Sequence, residues 1–339
     1  MSSVTINDIA RKAGLSKGAV SYALNNKPGV SEETRRRVLD IARELGWTPN
    51  VAARSLSRSR AGSVGLVLVR PARMLGAEPF FMEFISGIEE VIAARDVALT
   101  LHVVQNPHSE IATYEKWWAE RRVDGVIVVD RTVQDRRIEA LRRIGIPTVY
   151  VTNHEESEGL PHIWTDDVRA TAEAVRYLIG LGHRRLARVS GMPEFTHIGV
   201  RNETMLRVAA ENGLETPRIV TTDFSGEDGA RATRSLLGSD NPPTAIVFDN
   251  DIMAVAGLGV AAELGIAVPQ ELSLLAWDDS SLCQVTHPAL SAMHRDVPRM
   301  GSMAADLLLE LIDGGPGTSR EGPRAVLLPR ASTGPAPAP

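Results

Sequence analysis

Cysteine is almost missing from this chain of 339 residues: Cys283 stands alone. One thiol excludes an intramolecular disulfide and a zinc site built from cysteines, and it reads as a small buried side chain rather than a nucleophile. Long apolar runs are missing too. The longest, from Ile252 to Ala262, is too short to span a bilayer, and the N-terminus has no apolar signal core, so a cytoplasmic protein without membrane contact is expected. Signatures of catalysis are also scarce. The chain has no glycine-rich phosphate loop, no Gly-x-Ser-x-Gly elbow and no histidines at metal-ligand spacing. The eight histidines are scattered, and His102, His183, His197 and His294 read as structural. An enzyme is therefore not expected, and neither is a cofactor or a metal.

What is present is unevenly distributed. The formal net charge is −5, which by itself argues against nucleic acid. Yet residues 1–60 hold eleven Lys and Arg against five Asp and Glu, leaving 26 basic and 37 acidic residues for the rest. A small basic head suits phosphate, and an acidic body is repelled by it.

The head reads as a helix–turn–helix. Ile6, Ile9, Ala10 and Ala13 fall on one helical face, and Thr5 with Asp8 fits a capping box. Gly14 supplies the turn. Ser16 caps a second helix whose inner side is Val20, Ala23 and Leu24. The opposite face carries Lys17, Gly18, Ser21, Tyr22 and Asn25, small and polar enough to enter a DNA major groove. Ser31 opens a third helix with Val38, Ile41, Ala42 and Leu45 inside, and the basic run Arg35 to Arg37 is at least partly a solvated face. After Trp47 the apolar stripe stops. The segment Val51–Ser57 has no core to hold it and is expected to order only on binding.

From Val64 onward strands alternate with amphipathic helices. Strands are expected at 64–69, 97–104, 125–129 and 147–151, then at 186–190, 219–222, 244–248, 272–277, 291–294 and 325–328. Helices are expected at 80–95, 110–121, 133–144, 168–180, 198–212, 226–237, 252–264 and 298–312. This is an α/β pattern of two doubly wound parallel sheets in tandem, whose ligands sit beyond the carboxyl ends of the strands. The domain boundaries expected are a head at 1–48, a linker at 49–61 and a body at 62–330. Its two subdomains would be 62–162 with 294–324, and 163–293 with 325–330. The residues 331–339, ending Gly-Pro-Ala-Pro-Ala-Pro, are expected to form a disordered tail.

The run Val4-Thr-Ile-x-Asp-Ile-Ala-x-x-Ala-Gly-x-Ser-x-x-x-Val-Ser-x-x-Leu-Asn, then Val30-Ser-x-x-Thr-Arg-x-x-Val and Leu45-Gly-Trp-x-Pro-Asn-x-x-Ala-Arg-x-Leu56, resembles the LacI/GalR family of bacterial transcription regulators. The body adds Leu181-Gly-His-Arg184, the stretch Pro243 to Ala254, Val268-Pro-Gln-Glu-Leu-Ser273 and Asp278-Asp279, so the resemblance covers almost the whole chain. It implies a periplasmic-binding-protein-like body on a helix–turn–helix head. It also implies a homodimer or tetramer on palindromic double-stranded operator DNA, most often as a repressor. By position, Lys17, Gly18 and Tyr22 resemble base readers, and Leu56 resembles the hinge residue that wedges into the minor groove. Thr5, Ser16, Ser21, Asn25, Ser31 and Thr34 resemble phosphate contacts. Gly18 has no side chain where the family usually has a reader.

For the body, the resemblance implies a small effector, commonly a carbohydrate, held between the subdomains. The matching positions are Phe80, Phe81, Asp130, Arg201, Phe224, Asn250 and Asp278. An Arg, an Asn and carboxylates bracket hydroxyls while aromatic rings cover apolar faces. Bland alternatives stand beside them: Phe80 or Phe81 in the core, Arg201 paired with Glu203, Asp278 capping a turn. Thr204-Met205, Trp277 and the stretch Pro71 to Pro79 with Arg73 depart from the family pattern. A secreted binding protein would share the body but not the basic head.

Overall fold

A computed structural model describes residues 4–47, 60–70, 76, 78–153 and 159–338. The segment Val51–Ser57, with Leu56, and Arg73 lie outside the described residues. The chain divides into two compact units, residues 1–60 and 61–339.

The first unit contains α1 (Ile6–Ala13), α2 (Lys17–Leu24) and α3 (Glu32–Glu44). Each start is capped by its own sequence. The Asp8 carboxylate accepts from the Thr5 N–H at 3.0 Å and from its hydroxyl at 2.7 Å. Ser16 Oγ accepts from the Ala19 N–H, and Ser31 Oγ from the Thr34 N–H, both at 3.2 Å. Gly14 ends α1 at φ +65°, a conformation that costs glycine little. Ile9, Ala13, Val20, Ala23 and Val38 close a small core.

The second unit holds two six-stranded sheets. The first combines β1 (Ser63–Val69), β2 (Ala98–Val104), β3 (Gly125–Val128), β4 (Thr148–Asn153), β5 (His162–Thr165) and β11 (Arg320–Glu321), in the order β11-β5-β4-β3-β1-β2. Helices α4 (Pro79–Ala93), α5 (Pro107–Ala119) and α6 (Arg136–Ile144) connect its strands. The second sheet runs β12-β10-β9-β8-β6-β7, from β6 (Leu186–Ser190), β7 (Arg218–Thr221), β8 (Ala245–Phe248), β9 (Ser273–Trp277), β10 (Ser291–His294) and β12 (Val326–Leu328). Around it lie α7 (Asp167–Gly180), α8 (Thr196–Glu211), α9 (Gly226–Leu237), α10 (Asp251–Glu263) and α11 (Ser281–Val285). All pairings are parallel except β10 with β12.

The chain crosses between the sheets three times: from β5 to α7, from β10 to α12 (Val297–Ile312), and from β11 to β12. Helix α12 therefore belongs by packing to the first sheet. Val297, Met300, Ala304, Leu307 and Leu308 share one core with Val64, Leu66 and Leu68 of β1 and with Phe84 and Ile88 of α4. Glycines let the two helices touch. A Cβ on Gly87 would lie 1.8 Å from the Pro298 carbonyl oxygen, and one on Gly301 2.1 Å from that of Phe84.

Three short elements, β5, α11 and β11, go beyond the pattern read from the sequence. The helix expected from Val133 begins instead at Arg136, because Asp135 caps it by accepting the Arg137 N–H at 2.9 Å. Val133 is left to pair across to the second subdomain, donating its N–H to Glu194 O at 3.0 Å, while Thr196 N–H donates to Arg131 O at 2.9 Å.

The tail is a correction. Residues 331–338 were expected to be disordered, but Ser332 is fully buried and the chain beyond it docks on the second sheet. Leu274 N–H donates to Ser332 O at 2.9 Å, Ser291 N–H to Ser332 Oγ at 2.8 Å, and Ala336 N–H to Leu181 O at 2.8 Å. The buried His183 ring meets Thr244 Oγ1 at 2.9 Å, Ser273 Oγ at 3.0 Å and Gly334 O at 3.1 Å. No apolar stripe is needed, because the strands offer backbone groups that must be satisfied once buried. Ending the chain at Arg330 strands several buried donors at about 1–3 kcal/mol each. Urea denaturation should show a loss of about 3 kcal/mol or more in total, and a loss under about 1 kcal/mol would make the docked tail incidental.

Candidate functional site

The head presents one open face. Lys17 and Gly18 are exposed in the first turn of α2, and Tyr22 follows one turn later with 48% of its surface accessible. Ser21 and Asn25 are half-buried, and Asn25 Nδ2 donates to Ser21 O at 2.9 Å. Of the other polar candidates, Thr5, Ser16 and Ser31 are exposed caps and Thr34 is half-buried beside Ser31. Lys27, which the sequence pattern did not single out, stands over the Tyr22 ring, its Nζ 5.9 Å from the centroid. The basic run separates by role. Arg35 pairs with Glu32 and donates to Lys27 O, Arg37 donates to Ala13 O at 2.7 Å, and Arg36 is exposed.

In the body, one cavity opens between the two sheets beyond the carboxyl ends of their strands. All seven positions singled out for an effector line it: Phe80 and Phe81 at the start of α4, Asp130 after β3, Arg201 in α8, Phe224 after β7, Asn250 after β8 and Asp278 after β9. Three of these, Asp130, Phe224 and Asp278, have positive φ (52°, 70° and 65°) without being glycine. Such backbone costs of order 1–3 kcal/mol per residue and gathers at functional sites.

The polar side chains are engaged before any ligand arrives. Arg201 does not pair with Glu203. Its Nε donates to Asp167 at 3.0 Å and its Nη1 to Asp249 at 3.1 Å, with the guanidinium 4.0 Å from the Trp277 ring centroid. Asp249 also takes the fully buried Arg188 and accepts the Gly191 N–H at 2.8 Å. Burial would raise both carboxyls, yet the guanidinium groups beside them hold Asp167 and Asp249 below the ordinary range. Asn250 caps α10, accepting the Met253 N–H at 2.8 Å and donating to Phe224 O at 2.9 Å. Asp278 accepts from Arg295 Nε at 2.8 Å, and Arg295 lies over the Phe80 ring.

Sequence reasoning missed Arg70, Glu78, Asp167, His197, Asp249, Asp251 and Arg295, all of which line the cavity. Arg70 is buried among three rings, Phe81, Phe195 and Phe224, at 5.3, 5.1 and 5.6 Å, and its Nη2 meets Asp130 at 2.8 Å. Burial pushes the Glu78 carboxyl up to about 7 and that of Asp251 up to about 6, and it pushes the His197 ring down to about 4. The available signal was position, since Asp249, Asp251 and Arg70 directly follow strands or open helices. Among the described residues, no group of three or more His, Cys, Asp or Glu could hold a metal ion. No helix among them is long and apolar enough to cross a membrane.

Residues 5–50 match the family described as bacterial regulatory proteins, lacI family, and residues 175–333 match the periplasmic binding protein-like domain. Along its length the chain is similar to the HTH-type transcriptional regulator AglR of Rhizobium meliloti, with 33% identity over 98% of this chain and 95% of that protein. The chain belongs to the LacI family. The LacI-family repressor PurR of Erwinia tasmaniensis is also 33% identical over 91% of this chain and 90% of its own. Among solved structures, the transcriptional regulator CelR in complex with cellobiose superposes with a TM-score of 0.74 at 26% identity, covering 97% of this chain and 99% of that one. Such LacI-family relatives are DNA-binding transcription regulators, and their architecture is the one found here: N-terminal helices followed by two parallel-sheet subdomains.

Proposed function

We propose that this LacI-family regulator represses transcription as a homodimer on a palindromic operator, and that a small polyhydroxylated effector held between its subdomains releases or tightens that grip. The convergence of all seven effector candidates on one cavity supports the effector site most strongly. The cavity walls offer paired guanidinium and carboxylate groups for hydroxyls and aromatic rings for apolar faces, which is the chemistry of a sugar site. The cellobiose held by the related regulator points the same way.

In this reading Lys17, Gly18 and Tyr22 face the bases, while Thr5, Ser16, Ser21, Asn25, Ser31 and Thr34 meet phosphates. Leu56 is proposed as the minor-groove wedge of the linker. Sequencing genomic fragments retained by the protein identifies the operator. A truncated chain lacking residues 1–60 should then lose that DNA and still bind effector; retained operator binding would overturn the assignment of the head. On the operator so found, Tyr22→Ala should relax discrimination at one or two base pairs by about 1–3 kcal/mol, whereas a side chain on the backbone would give a uniform loss. Competition gel shifts against single-base operator variants distinguish the two patterns.

A further inference from the structure

The cavity walls carry seven carboxylates and three guanidinium groups, so charge is not balanced there. Each guanidinium is committed: Arg295 to Asp278, Arg201 to Asp167 and Asp249, and Arg70 to Asp130. Arg188, buried behind the wall, adds a fourth cation through Asp249. With every carboxyl ionised, three negative charges remain over; burial raises the carboxyls of Glu78 and Asp251, so the excess is full only above about pH 7. Among the described residues neither Glu83 nor Asp251 has an ion pair, and Glu78 only shares Arg70, its Oε2 3.6 Å from Nε and beyond hydrogen-bond reach. That Nε is itself buried with no hydrogen-bond partner, although Arg70 is 94% enclosed at the cavity wall. The walls thus await hydrogen bonds while repelling a further anion.

We infer, resting on the effector site proposed above, that Glu78, Glu83 and Asp251 form a charge filter: the cavity takes a neutral or amine-bearing polyol and excludes a ligand carrying carboxylate or phosphate. These groups sense one another across the cleft. Glu78 faces Arg70, Asp130 and Asp251. Glu83 faces Asp278, Asp251, Asp279 and His294. Asp251 faces Asp278 and accepts the Ser280 hydroxyl. All three carboxyls are raised by burial, with neighbouring acids adding to the rise. An amine entering the cavity neutralises part of this excess. A uronate or sugar phosphate adds to it beside Glu78 and Asp251, which are buried at the cavity wall and little screened by solvent.

The test uses the full chain and matched probes: glucose, glucosamine, glucuronate and glucose 6-phosphate, with the same four members of the galactose series. Affinities are read by calorimetry at about pH 8, where Glu78, pushed up to about 7, and Asp251, pushed up to about 6, are ionised. In a series that binds, the neutral and amine members should bind at least about thirtyfold tighter than the acid and the phosphate. The Glu83→Gln/Asp251→Asn variant should shrink that gap to about threefold or less. An acid or phosphate binding as tightly as its neutral counterpart overturns the filter and leaves the sugar site standing.

A second arm needs no ligand. Carboxyls raised in the folded protein bind protons that the unfolded chain has released, so they lower stability as pH climbs from about 4 to about 7. Urea midpoints of the wild type should therefore fall relative to Glu78→Gln/Glu83→Gln/Asp251→Asn between about pH 5 and pH 8. A constant difference over that range overturns the filter. If no probe binds, the carbohydrate reading fails and the filter that rests on it falls too; a widening difference then shows only that the three carboxyls are raised in the folded cavity.

Discussion

Asp249→Ala is expected to destabilise the body by about 3–5 kcal/mol, enough to bring a protein of ordinary stability close to unfolding. The reason is the company this carboxylate keeps. Arg188 and Arg201 both lean on it from buried positions, and the Gly191 N–H donates to it as well. Truncation leaves Arg188 enclosed with no counter-charge, and Arg201 with Asp167 alone. Ionised Asp249 is present throughout the neutral range because its guanidinium neighbours hold its pKa low. The change should therefore act at neutral pH and shrink in acid, where the wild type also loses the pair as pH falls through the folded pKa. Chemical denaturation at several pH values measures this. A cost under about 1 kcal/mol would mean that water reaches Arg188 once the carboxylate is gone.

Asp278→Ala should abolish the response to effector and leave operator binding intact. Asp278 is half-buried, held in a left-handed backbone conformation and clamped by Arg295, so its oxygens are fixed at the cavity wall before a ligand arrives. Removing one member of such a desolvated charged pair costs about 2–5 kcal/mol in binding, or about thirtyfold to several thousandfold in affinity. The head folds around its own core of Ile9, Ala13, Val20, Ala23 and Val38, with no contribution from Asp278. Effector titrations of operator release, run beside calorimetry, check both halves. Equal effector sensitivity in mutant and wild type would remove Asp278 from the site.

Much of this protein was legible from its residues, for physical reasons that also mark the limits. Apolar periodicity places the long helices and buried strands, because each must hide one face; helix Gly226–Leu237 and strands Leu186–Ser190 and Ser291–His294 fall where the pattern puts them. Short elements carry too few residues to show a period. Strand β11 spans two residues and exists because β5 offers an open edge. The seven proposed effector positions, which line one cavity, were singled out through resemblance and through their place after strands. Their partners were not, because an ion pair such as Arg201 with Asp167 and Asp249 joins residues 34 and 48 positions apart. The docked tail was misread for a related reason: a proline-rich sequence does not reveal that β9 and β10 leave backbone groups for it to satisfy.

The second crossing, which returns the chain to the first sheet as α12, sets a timetable for synthesis. The first sheet is complete in sequence by β5, apart from the two residues of β11, yet one of its faces is covered by a helix ending at Ile312. At translation rates of about 5–20 residues per second, that face waits for roughly 150 further residues to emerge. The head, closed within its first 47 residues, has no such wait. A nascent chain thus carries a finished three-helix head well before the body can assemble. Any chaperone that meets this protein on the ribosome meets the apolar side of α4, carrying Phe84, Ile88 and Ile92, before α12 arrives to cover it.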